Sequence, residues 1–293
     1  MKISVFCPTR NRKDMLVKGI DSLIKNAHNL SDIEFIFRFD VDDISTLKQV
    51  MKYYKVKKLF TKVINREFTW GSSRYKVINT FSKKNDVSMK FIYGKRWGYS
   101  LLNRCNDESM YAADGEYLFH WTDDFVLLPN DGHPEYLGWD HLIREGSGQN
   151  YIFFFRDIGR YRKPAVGPIG IPKKWFDINN RLCPNVLDDW WYVELCKILP
   201  ENTRVILNWE MQHNNVWKTD KQDITSEEGR DVFDRERENN TEGYEYYSEP
   251  EMRKITKYIE DNPNTKKTSQ EHDNSLIGQN FAKSEGSTGR WER

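Results

Sequence analysis

The chain predicts an α/β fold built on a largely parallel sheet with helices on both faces. Three observations predict it. Short runs rich in β-branched and aromatic residues recur through the first half. Between them lie segments whose apolar residues fall at helical spacing. The two kinds alternate, and a β-α-β-α order is the sequence form of parallel strands joined by crossover helices.

Residues 3–7 read as a short buried strand. Residues 13–27 place Met15, Leu16, Ile20, Leu23 and Ile24 on one helical stripe. Residues 33–39 (IEFIFRF) read as the second strand. Ser45 stands where a helix N-cap would, ahead of Leu47, Val50 and Met51. Residues 59–64 and 89–93 are two further strands. Residues 100–113 form a helix stopped by Asp114-Gly115, and residues 116–122 (EYLFHWT) another strand.

The second half is less regular. Residues 136–144 read as a helix and residues 151–156 (YIFFFR) as a buried strand. Residues 160–174 hold Pro164, Pro168, Pro172, Gly167 and Gly170 and read as loop. Residues 188–199 read as helix, 204–209 as strand, and 226–239 and 250–261 as helices. From about residue 264 the apolar positions thin out to Leu276, Ile277, Phe281 and Trp291, which predicts a disordered or loosely docked tail, dispensable for folding.

The 293 residues suffice for one large domain or two small ones. Aromatic residues make up 14%, enough to build a core although only 38% of the chain is hydrophobic. A net charge of +1, from 45 basic and 44 acidic residues, argues against a bulk electrostatic footprint for nucleic acid. The basic stretch holding Lys52, Lys55, Lys57, Lys58, Lys62 and Arg66 reads as a solvated surface. No stretch approaches the roughly 18 uninterrupted apolar residues of a membrane span. The opening residues lack the apolar region of a signal peptide. Cys7, Cys105, Cys183 and Cys196 are far apart, with no C-x-x-C pair, which predicts reduced structural thiols and a cytoplasmic location.

In open α/β sheets, ligands bind beyond the carboxyl ends of the strands. After the first strand comes Pro8-Thr9-Arg10-Asn11-Arg12. Its backbone N–H groups, hydroxyl and guanidiniums suit a phosphate, or form an ordinary proline turn. After the second comes Asp40-Val41-Asp42-Asp43, whose carboxylates could meet a ribose, a base edge or a cation, or simply favour the next helix start. Asp123-Asp124 follows residues 116–122 and precedes an apolar run. Such a pair is costly to bury unpaired, and a hard cation such as Mg²⁺ or Mn²⁺ would resolve that cost; an exposed turn is the alternative. Asp188-Asp189, flanked by Trp190 and Trp191, is an acid pair or a helix start, and His213 is a metal ligand or a structural histidine.

The order of these segments resembles the GT-A glycosyltransferases, close to glycosyltransferase family 2. The resemblance spans residues 1–240. It is carried by Pro8-Thr9-Arg10-Asn11-Arg12, the acids after the second strand, Gly98-Tyr99 with Leu102-Asn103, the run Gly115 to Asp124, and Asp131-Gly132 with Gly138-Trp139-Asp140. It implies a Rossmann-like, mostly parallel central sheet flanked by helices. One domain would cover residues 1–262, with a nucleotide-binding half of residues 1–125 and an acceptor-side half of residues 126–262, followed by a polar tail of residues 263–293.

The resemblance further implies roles. Pro8, Thr9, Arg10 and Arg12 would border the nucleotide, Asp40 would hydrogen-bond the base, and Asp42 would lie near the ribose. Arg96, Tyr99 and Asp123 would complete the nucleotide side. Asp124 would ligate Mn²⁺ or Mg²⁺, with His213 as a further ligand; Thr122 stands where the family's metal motif has its first Asp. Asp189 or Asp188 would be the catalytic base of an inverting transfer. The expected substrates are a nucleotide-sugar, UDP-sugar favoured, and a glycan or other hydroxyl acceptor. Two other classes fit more loosely: a nucleotidyltransferase, although no glycine precedes Lys18, and a non-catalytic carbohydrate-binding protein with sugar-stacking tryptophans.

Overall fold

A computed structural model describes residues 1–98, 101–129, 137–158, 163–181, 191–192, 195–196, 198–213 and 243–266. The first half alternates as expected: β1 (Ile3–Pro8), α1 (Lys13–Lys25), β2 (Ile33–Asp40) and α2 (Ile44–Tyr53). A long hairpin follows, β3 (Val56–Phe68) and β4 (Gly71–Ser82), then β5 (Val87–Gly94), α3 (Leu102–Ala112), β6 (Tyr117–His120) and β7 (Phe125–Leu127). The rest comprises α4 (Trp139–Glu145), β8 (Ile152–Asp157), β9 (Lys163–Pro172), α5 (Lys173–Asn179), β10 (Arg204–His213) and α6 (Gly243–Asp261).

The strands form one sheet in the order β3-β4-β5-β2-β1-β6-β9-β8-β10-β7. β5, β2, β1 and β6 run parallel, as do β8 and β10. The pairs β3–β4, β4–β5, β6–β9, β8–β9 and β7–β10 are antiparallel. The α/β class and its parallel centre are as expected; with antiparallel flanks the sheet as a whole is mixed.

Both faces of the centre are buried, so its strands are apolar throughout rather than alternating. Val5, Phe35, Phe37 and Phe39 pack with Leu16, Ile20 and Leu23 of α1 and with Trp139 of α4. Phe6, Ile36 and Leu118 face the other way, onto Met110 of α3, Trp175 of α5, and Met252, Ile255 and Ile259 of α6. The indole N–H of Trp139 donates to the Leu23 carbonyl at 2.9 Å, so this fully buried ring leaves no unmet donor.

Two segments correct the sequence reading. β4 is a strand where none was expected, and its partner runs well beyond residues 59–64. The sequence GSSRYKVINTFS hides β4 because its outward side chains are polar. Gly71, at φ 118°, opens it. The proline-rich stretch expected as loop over residues 160–174 is, where it is described, strand and helix: residues 163–172 form β9, which pairs with both β6 and β8, and α5 follows. Gly170 sits opposite Phe119 and Phe153, and a Cβ there would lie 2.9 Å from the Phe119 ring. The glycine marks a close strand approach rather than a turn.

Elsewhere the elements fall near their expected bounds, with α6 starting before residue 250. The helix expected at residues 226–239 lies outside the described residues, as does half of residues 188–199. The start of the expected tail is docked. Gln149 Oε1 accepts from the backbone N–H of Thr265 at 2.7 Å and of Lys266 at 3.1 Å, and Asn150 N–H donates to Asn264 Oδ1 at 2.6 Å.

Candidate active site

The carboxyl ends of β1, β2, β5, β6 and β10 emerge on one edge of the sheet, and each delivers a polar group there. β1 is held to β2 past its last residue, because Thr9 N–H donates to the Arg38 carbonyl at 3.0 Å. The chain then turns through Asn11 at φ 54°, a left-handed conformation that asparagine tolerates. This aims the Asn11 N–H at Asp43 Oδ2, 2.9 Å away. Thr46 donates its hydroxyl to the other Asp43 oxygen at 2.6 Å.

Arg10 reaches across to β2. It grips Asp42 with both terminal nitrogens, at 2.6 and 2.9 Å, and donates to Asp40 Oδ2 at 3.1 Å. The Arg96 Nε lies 3.7 Å from Asp42. The hydrogen bond from Arg10 holds the Asp42 carboxyl below its ordinary pKa, against partial burial.

Asp40 is fixed from behind. Its Oδ1 accepts from Arg38 at 3.1 Å and from the Trp97 N–H at 3.3 Å. Arg38 is fully buried and ion-paired to the fully buried Glu108 of α3 at 2.7 Å. Glu108 also accepts from the Trp97 indole at 2.9 Å and from Ser73. Arg38, Trp97 and Glu108 were not among the residues singled out from sequence. A visible signal existed: a lone arginine inside IEFIFRFD, a strand apolar on both faces, needs a buried counter-ion.

Asp123 and Asp124 point into different surroundings. Asp123 accepts from the Thr9 hydroxyl at 2.7 Å and from Arg12 at 3.1 Å, which ties the β1 and β6 loops together. Burial raises its pKa, opposed by Arg12 and reinforced by the charge of Asp124. Asp124 Oδ1 accepts from the Thr122 hydroxyl at 2.8 Å, and Oδ2 lies 2.9 Å from His213 Nε2. Burial opposes ionisation of Asp124, but His213, Thr122 and Arg12 together hold its pKa low. The antiparallel pairing of β10 with β7 sets His213 opposite Phe125, and their rings stack at 4.3 Å.

Of the residues expected from sequence, nine fall in three neighbouring groups at this edge: Arg10 and Arg96 with Asp40 and Asp42, Thr9 and Arg12 with Asp123, and His213 with Asp124, with Pro8 at the end of β1. Tyr99, Asp188 and Asp189 lie outside the described residues. Among the described residues no three His, Cys, Asp or Glu side chains cluster as a metal cage. The donor chemistry still suits a cation with two protein ligands: a carboxylate oxygen and an imidazole nitrogen stand side by side at the protein edge of the site. The site's own charge points the same way. Six carboxylates (Asp40, Asp42, Asp43, Glu108, Asp123, Asp124) accompany four guanidiniums (Arg10, Arg12, Arg38, Arg96), so a phosphate anion entering here needs added positive charge.

No family model matches the chain, and no curated protein matches it in sequence. Among solved structures, it is similar to S. aureus TarS 1-349, at 11% identity over 100% of this chain and 93% of that one, TM-score 0.48. TarS 1-349 in complex with UDP-GlcNAc gives 12% identity over 89% of this chain and 73% of that one, TM-score 0.48. Mannosyltransferase PcManGT from Pyrobaculum calidifontis, in complex with GDP-Man and Mn²⁺, gives 8% identity over 97% and 79%, TM-score 0.48. These likenesses concern the course of the chain alone.

Proposed function

We propose that the protein is a glycosyltransferase that takes a sugar from a nucleoside-diphosphate donor and transfers it to an acceptor hydroxyl, with the help of a divalent cation. One observation carries the reading: two groups converge on the carboxyl edge of the parallel centre. The first is the Arg10–Asp40–Asp42 cluster, suited to a nucleoside. The second is the Asp124–His213 pair, suited to a cation. Residues 1–125 form the nucleotide half and residues 126–262 the acceptor half.

Asp40, with an unused lone-pair position, accepts from the base, and Asp42 faces the ribose. Arg10 and Arg96, beside Asp42, and Arg12, beside Asp123, face the diphosphate. Asp123 is a positioning residue that holds Thr9 and Arg12 in register. Asp124 and His213 would hold Mn²⁺ or Mg²⁺, which would supply positive charge to offset that of the diphosphate leaving group. Asp189 or Asp188 takes the acceptor proton in a single inverting displacement. The thiols of Cys7, Cys105 and Cys196 are buried and unbridged, which suits a cytoplasmic enzyme.

The test is incubation with a panel of uridine, guanosine and cytidine diphosphate sugars, with Mn²⁺ and a mixed acceptor pool, reading released nucleoside diphosphate. Release from one donor supports the reading. Donor binding without release from any member would leave a sugar-nucleotide-binding protein instead.

A further inference from the structure

The charge balance of the whole chain hides a strong segregation. Residues 44–86, which make up α2, β3, β4 and their connections, hold eleven lysines and arginines against two acids, Glu67 and Asp86. This unit is +9 in a chain whose total is +1. Lys48, Lys52, Lys55, Lys57, Lys62, Lys76 and Lys83 are exposed. Arg66, over the Tyr111 ring, and Lys84, paired with Asp21, are engaged within the protein.

The same edge exposes apolar side chains. β3 is the outermost strand of the sheet. Leu59 and Phe60 are each 57% exposed and Val63 42%, with Phe60 and Val63 on opposite faces of the edge strand, and a bulge between Lys58 and Phe60 breaks the pairing register there. Edge strands often carry lysine to prevent edge-to-edge pairing. That accounts for Lys57 and Lys62. It does not account for Leu59 and Phe60 standing out of the same edge, nor for the cations on α2 and at Lys83, away from the strand.

We propose that this edge docks on the surface of an anionic lipid bilayer. The lysines meet the headgroups while Leu59, Phe60 and Val63 enter the boundary with the acyl chains. A phosphate polymer would satisfy the cations and leave the apolar groups in water; a bilayer satisfies both. Lysine dominates the patch, and a mobile point charge suits a fluid headgroup layer better than the fixed geometry of a nucleic acid groove. The surface stands apart from the Asp124–His213 edge, so the inference holds whether or not the donor reading does.

The test is co-sedimentation of the full chain with vesicles of phosphatidylcholine alone and of phosphatidylcholine mixed with phosphatidylglycerol. Binding is expected to the anionic vesicles only, and to weaken with salt. Each lysine near such a surface contributes about fivefold in partitioning, so Lys52→Glu, Lys55→Glu, Lys57→Glu and Lys62→Glu together should cost at least about 100-fold. Leu59→Ser, Phe60→Ser and Val63→Ser together should cost about tenfold or more at unchanged charge. Circular dichroism melts confirm that each variant folds; if the fourfold variant does not, the apolar variant alone decides. No binding to anionic vesicles, equal binding to neutral ones, or a wild-type response from the apolar variant overturns the proposal. Capture of duplex or single-stranded nucleic acid in place of vesicles, or a concentration-dependent dimer lost in the apolar variant, reassigns the surface.

Discussion

His213 Nε2 lies 2.9 Å from Asp124 Oδ2, joining the end of β10 to the loop after β6 across 89 residues of chain. The pairing of β10 with β7 creates this contact, and the Phe125 ring beneath His213 fixes the imidazole plane. Replacing His213 with alanine should therefore leave the fold intact while weakening Mn²⁺-dependent donor binding at least about tenfold, since loss of a metal ligand or its close support costs that much. Titration of Mn²⁺ against turnover checks it. An unchanged metal requirement would make His213 a partner of Asp124 and nothing more.

The Arg38–Glu108 pair holds Asp40 from inside the protein. Glu108→Ala takes the closer carboxylate from the buried Arg38 guanidinium, which keeps Asp40 at 3.1 Å, and should cost up to about 3–5 kcal/mol of stability. Arg38→Met with Glu108→Met removes both charges and should recover most of that loss. The double variant should nonetheless bind the nucleotide more weakly, because Asp40 loses the donor behind it. Denaturant unfolding read beside calorimetry separates the two effects.

Asp42 should titrate below the ordinary carboxylate range because of Arg10. A carboxyl whose folded pKa is depressed contributes stability that is present above its unfolded value and lost as pH falls through the folded one. The contribution is small, under about 1 kcal/mol, because Asp42 is 41% exposed and solvent screens the pair. Carboxyl NMR of wild type and Arg10→Ala should show the Asp42 midpoint move up in the variant. Coincident midpoints would mean that the bidentate grip is absent in solution.

Much of the site could be read from the sequence because its residues sit at strand ends, where short polar runs interrupt apolar ones. Pro8 to Arg12, Asp40 to Asp43 and Asp123-Asp124 stand out for that reason. What could not be read is pairing at a distance. Thr9 and Arg12 each donate to one oxygen of Asp123, and only the parallel alignment of β1 with β6 brings them together. β4 escaped because an exposed strand face is polar, and β9 because prolines and glycines usually mark loops.

The acceptor half carries the remaining chemical prediction. Asp189→Asn or Asp188→Asn should lower turnover by about 10²–10⁴-fold while donor binding stays nearly intact, as expected when a general base is lost. Single-turnover assays with saturating donor measure it. Wild-type turnover from both variants would place the base elsewhere.

Calorimetric titration of nucleoside diphosphate with and without Mn²⁺, on wild type and Asp124→Asn, tests the central claim most directly. The account predicts that uridine, guanosine or cytidine diphosphate binds the wild type with Mn²⁺, that chelator removes the binding, and that Asp124→Asn shows none. A ligand at about 100 times its Kd adds about 2.7 kcal/mol of stability, so a melting shift of several degrees should accompany it. If none of the three binds with metal present, or if Asp124→Asn binds like wild type, the assignment of Asp124 and His213 to a metal-assisted donor site is contradicted.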